Sequence, residues 1–191
     1  TARGKKVLLQ AEINNDVGQS EFKTNVSNLT VNENIFVGLE FLLNKEKNRQ
    51  TNAGLVLGAD KVNYAEQEEF AKTTVWQKIL SQGKKYVSDM DGKEYTNYQK
   101  IIEELKTEKD KKYFGKDLDL QTREKLLTWA ETEMKDQKEY FKSRDARMDV
   151  DNAKDINSDM DKWINGQGVF TLNGKEVTAE NYFNQTIPTL K

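Results

Sequence analysis

Acidic side chains spaced two residues apart are the part of this sequence most suggestive of chemistry, because alternating carboxylates open many cation-binding loops. Asp149, Asp151, Asp155 and Asn157 place oxygens at relative positions 1, 3, 7 and 9 of such a loop, with Ile156 at position 8. The remainder of the pattern departs from it. Ala153 stands at position 5, Lys154 replaces the glycine needed for a sharp turn, and Met160 replaces the closing bidentate glutamate. The segment therefore reads as the first turn of a helix, with acids set against the positive end of its dipole. Asp89-Met90-Asp91-Gly92 is a shorter version and reads as a turn.

The chain contains no histidine and no cysteine. Imidazole general bases, Ser-His-Asp relays, thiol nucleophiles, iron–sulfur clusters and disulfides are thereby excluded. Carboxylates are abundant enough for a glycosidase-type pair or a magnesium site, yet most lie beside lysines and no two are singled out. No Walker loop, G-x-G-x-x-G turn or G-x-S-x-G elbow is present. The reading is of no catalytic residue, no metal ligand and no cofactor.

Lys106 to Lys116 holds five lysines with Tyr113 and Phe114, a mixture suited to single-stranded nucleic acid. Glu108 and Asp110 dilute its charge, and overall 30 basic residues face 32 acidic ones for a net charge of -2. That balance argues against a duplex-binding surface. Glycan-acceptor triplets at Asn25, Asn28 and Asn184 carry weight only in a secreted setting.

The candidate partner-binding residues are Trp129, Glu133, Gln137, Tyr140 and Arg144. Both rings project about a quarter-turn from the main apolar stripe of their helix, among flexible polar side chains, the composition of a protein-facing patch. A helix packed on two sides would bury them instead.

Three segments must position these groups. Residues 1–62 read as β-rich. Val7, Leu9, Ala11 and Ile13 alternate with Leu8, Gln10 and Glu12; Asn14-Asn15-Asp16 and Gly18 supply a turn; Phe22 to Val31 offers a second strand. Ile35 to Leu43 fits a strand (Val37, Leu39, Phe41, Leu43) or a helix (Ile35, Leu39, Leu42, Leu43) with Thr30 and Glu33 as a capping box. The strand is preferred because Leu55-Val56-Leu57, beyond a polar loop, would complete a hairpin.

Residues 63–166 read as about four helices. The first is capped by Asn63 with Glu66 and carries its apolar stripe to Tyr86 and Val87, with Gly83 as an alternative break or end; the second carries Tyr95 to Tyr113 and ends at Gly115. The third starts near Asp119 with Leu126, Leu127, Ala130, Met134, Phe141 and Met148 inward, and the fourth follows a phase slip at Asp149 to Asn152 and stops at Gly166. Residues 167–191 return to β, with Asn173-Gly174 between two short apolar runs as a type I′ hairpin signal, then a tail containing Pro188.

The expected fold is α+β: a β-rich N-terminal segment and a C-terminal hairpin share one sheet and flank a charged helical insert, without internal repeats. Hydrophobic residues make up 36% and charged residues 32%, with mean hydropathy -0.88, so the core must come from narrow stripes. No apolar run reaches membrane-spanning length, and the Thr-Ala-Arg-Gly-Lys-Lys start lacks a signal segment; a soluble chain of unassigned compartment is expected. The expected role is a non-enzymatic interaction or assembly component, such as a virion or appendage subunit or a docking inhibitor, binding another protein or copies of itself. Its alternatives are a carboxylate-dependent hydrolase acting on glycans or phosphoesters, and a weak single-strand binder.

Overall fold

The computed structural model describes residues 2–58, 62–166, 170–172 and 175–179. Five helices hold most of them: α1 (Ala2–Ser27), α2 (Ile35–Leu57), α3 (Tyr64–Ser81), α4 (Tyr98–Thr107) and α5 (Leu120–Ile164). Six short strands form three separate hairpins: β1 (Lys85–Val87) with β2 (Glu94–Thr96), β3 (Lys112–Tyr113) with β4 (Lys116–Asp117), and β5 (Phe170–Leu172) with β6 (Lys175–Val177). The chain divides into two compact units, Thr1–Lys135 and Asp136–Lys191, and α5 contributes residues to each.

The α+β expectation is overturned. Residues 1–62 contain no strand among those described, and β5–β6 pair only with each other rather than with an N-terminal sheet. The sequence misleads because the buried seam of α1 is largely small or polar. Ala11, Asn15, Gly18, Phe22 and Val26 recur every three or four residues along one face, and Asn15, Phe22 and Val26 are buried. What resembles turn chemistry is packing chemistry. A Cβ on Gly18 would lie 2.7 Å from Cδ of Arg49, while Asn15 accepts from that same arginine at 2.9 Å. Val7, Leu9 and Ile13, the apparent inward face of a strand, are exposed.

Ile35 to Leu43 is likewise helical. Ile35, Leu39 and Leu43 are buried at i, i+4 and i+8, and the strand partners Val37 and Phe41 face outward. The Thr30/Glu33 box does not form; Asn34 occupies the cap position without a side-chain cap bond, and its N–H donates to Asn32 Oδ1 at 2.9 Å. The helix continues through the expected polar loop to Leu57, where Gly58 takes φ 94°.

Downstream, the Asn63 cap and the helix start near Asp119 agree with the sequence. Asn63 Oδ1 accepts from the Glu66 N–H at 3.2 Å, and Asp119 Oδ1 accepts from Thr122 at 2.9 Å. The helical stretch contains three helices rather than four. Tyr86 and Val87 belong to β1, Tyr95 to β2 and Tyr113 to β3, whereas the apparent phase slip at Asp149 to Asn152 leaves α5 unbroken. The β5–β6 strands pair with Leu172 opposite Lys175; Asn173, Gly174 and the Pro188 tail lie outside the described residues.

In the first unit α1 and α2 run antiparallel, with Lys45 facing Glu21 and Arg49 facing Asn15. Beside them α3 runs parallel to α1, as Lys23 over Phe70 and Lys78 bonded to the Ser27 carbonyl require. Val26, Val75, Leu80, Ile101 and Leu126 are fully buried where these helices meet α4 and the start of α5. Phe36, Trp76 and Tyr113 form an aromatic row, the last pair edge-to-face at 5.5 Å.

Candidate partner-binding surface

The five residues proposed to bind a partner fall in the two units. Trp129 and Glu133 belong to the first, where both meet α4. The Trp129 ring stands edge-to-face on Tyr98 at 5.6 Å, and the Tyr98 hydroxyl donates to Glu133 at 3.4 Å. Burial raises the Tyr98 pKa, and the Glu133 charge adds to the rise. Trp129 is half-buried against the core, the two-sided packing that the sequence allowed as the alternative.

Gln137, Tyr140 and Arg144 belong to the second unit. Tyr140 is 41% exposed and its ring lies 5.9 Å from that of Phe141. Arg144 is buried, with its guanidinium 4.7 Å above the Phe141 ring and bonded to Asp145 at 2.8 and 2.9 Å. Gln137 is half-buried. Of the five, Tyr140 offers the most accessible ring.

A second apolar feature was missed in the sequence. Leu9, Ile13 and Val17 on α1 are 58%, 48% and 61% exposed, one turn apart, on the side of the helix away from its buried seam. Val37 and Phe41 form a similar pair on α2. The signal was present, since three branched aliphatics at i, i+4 and i+8 are a helical stripe, but an assumed period of two assigned them to a strand core.

Four of the five lysines in the basic stretch are engaged within the fold. Lys106 pairs with Glu131, Lys111 with Glu108 and Glu104, Lys112 with Asp117, and Lys116 with Glu40. Tyr113, the proposed stacking ring, is buried, and its hydroxyl donates to Glu104 at 2.6 Å. Glu104 also receives Lys84 at 2.7 Å. Burial alone would raise the Glu104 pKa, but hydrogen bonds from Lys84 and Tyr113 outweigh it and the net shift is downward. The Tyr113 hydroxyl is pushed up, first by burial and then by donating to that carboxylate. Arg123, buried beneath this cluster, donates to the carbonyls of Leu105 and Lys109 at 2.8 and 2.7 Å. It thereby satisfies carbonyl groups at and just beyond the α4 end.

The Asp149–Asn157 stretch is helical, so its acids project at helical intervals rather than encircling one point; Asp151 bonds weakly to Lys154 at 3.6 Å. Among the described residues, no three acidic side chains converge. A shallow hollow on α5 is lined by Lys154, Asn157, Ser158, Asp161, Lys162 and Asn165, with a single carboxylate. A crevice of about 30 Å³ between α1 and α2 is large enough for roughly one water. No described helix is long and apolar enough to cross a membrane. No family model, curated protein or solved structure matches the chain.

Proposed function

We propose that this protein is a non-enzymatic interaction or assembly component that presents helical surface to another protein or to further copies of itself. The observation that carries the reading is the exposed Leu9–Ile13–Val17 stripe. Apolar residues on successive turns are the pattern by which amphipathic helices seat in a partner's groove, and contiguous exposed apolar surface marks interaction sites. Tyr140 adds an accessible ring on the second unit. The charge-paired lysines and the convergence of at most one or two carboxylates at each hollow give no comparable support to nucleic-acid binding or hydrolysis.

Sedimentation velocity across a concentration series, alone and with affinity-captured partners, tests this function. The wild type is expected to associate, and Ile13→Glu to lose association with its circular dichroism unchanged, because Ile13 supports no core. A wild type that stays monomeric and captures no partner, or an Ile13→Glu variant that associates as before, refutes it.

A further inference from the structure

Each of the three sheets among the described residues carries the same residue pattern along its second arm, directly after a glycine in the sequence. Gly92-Lys93-Glu94-Tyr95-Thr96, Gly115-Lys116-Asp117-Leu118-Asp119 and Gly174-Lys175-Glu176-Val177-Thr178 share the order glycine, lysine, acid, apolar, and threonine or aspartate. These are the only Gly-Lys-acid triplets in a chain of 11 glycines.

Strand pairing gives the same equivalence independently. In the third hairpin Phe170 faces Val177, Thr171 faces Glu176 and Leu172 faces Lys175. In the first, Tyr86 faces Tyr95, Val87 faces Glu94, and the Ser88 N–H donates to the Lys93 carbonyl at 2.9 Å. In the second, Lys112 faces Asp117 and Tyr113 faces Lys116. Counted from the glycine, the lysine, acid and apolar residue occupy the same rungs wherever both arms are paired.

The physical roles also repeat. Gly92 and Gly115 take φ 65° and 77°, the left-handed backbone needed to close each turn. Phe114 precedes Gly115 at φ 49°, so the second hairpin turns in the type I′ manner for which Asn-Gly is the preferred sequence. The acid bonds to a first-arm lysine, Lys85 with Glu94 at 2.7 Å and Lys112 with Asp117 at 3.5 Å. Beyond the apolar residue the chain enters a helix, capped by Asn97 in α4 and by Asp119 in α5.

We infer that residues 85–98, 111–120 and 170–179 are three copies of one hairpin unit, whose second arm delivers the chain into a helix, and that they differ mainly in turn length. The copies are brief, unevenly spaced and interrupted by helices of different length, so they leave no fixed period in the sequence. The third copy predicts Thr178 as a helix cap, equivalent to Asp119, with the buried Ala179 as the first helical residue.

The test is a graft in the full chain. Asp89–Thr96 is replaced by Asn-Gly-Lys-Glu-Val-Thr, the segment from 173 to 178. This shortens the turn by two residues and removes Asp91 together with its hydrogen-bond partner Tyr95. Equivalence predicts one cooperative transition with a midpoint within roughly 4 °C of wild type. The same graft with the glycine changed to alanine should fall further, since alanine opposes φ > 0. A graft that drops as far as its alanine control, or a control as stable as the graft, overturns the inference.

Discussion

Replacing Arg49 by methionine breaks a buried charge pair within α2 and, with it, the hydrogen bond that ties α2 to Asn15 of α1. The guanidinium donates to both Glu46 oxygens at 2.8 and 2.6 Å and to Asn15 at 2.9 Å, and the Glu46 side chain is only 2% exposed. Methionine retains the aliphatic stem and removes every donor. Glu46 is then left with Gln50 Nε2, at 2.6 Å, as its remaining donor in this network. Breaking a buried pair costs about 3–5 kcal/mol. Arg49 is 26% exposed and Gln50 still donates, so about 2–3 kcal/mol is expected, a fall in Tm of roughly 5–10 °C. Chemical denaturation followed by circular dichroism measures it. Adding Glu46→Gln should restore at least half of the loss, because no buried charge remains to be compensated. The reasoning fails if Arg49→Met alone costs under about 0.5 kcal/mol, or if the double variant is as unstable as the sum of the singles.

Leu39→Ala is expected to cost about 2–4 kcal/mol in the same assay, and Phe41→Ala about 0.5 kcal/mol or less. Equal costs would restore the strand reading, in which both share a face. Glu104, whose pKa is held below its unfolded value, contributes stability that is complete above the unfolded carboxylate range and lost as pH falls through the folded pKa. Glu104→Gln should therefore flatten the acid limb of the stability–pH curve; an unchanged limb would show that the Lys84 and Tyr113 bonds do not drive the shift. Tyr113 acts at the opposite limb. Its raised pKa makes stability fall as pH climbs past the ordinary tyrosine value near 10, and Tyr113→Phe should shallow that fall.

Legibility followed the chemistry of each position. The cap at Asn63 was readable because a side-chain oxygen three residues before a backbone N–H is a local signal. The seams of α1 and α2 were not. Gly18 and Asn15 look like turn residues until Arg49, 34 positions away from Asn15 and on another helix, is placed against them. Leu39 and Leu43 satisfy periods of two and of four alike, and only the burial of Ile35 with the exposure of Phe41 separates those readings. At the candidate surface, the off-stripe placement of Trp129 and Tyr140 was visible. The finding that Tyr98 meets Trp129, while Phe141 lies under Arg144, needed three-dimensional neighbours.

Arg123 binds two carbonyls that precede it by 18 and 14 residues, so the last turn of α4 is finished by a side chain made later in synthesis. Chain order therefore gives these two carbonyls their guanidinium donor only once the opening turn of α5 has been synthesised.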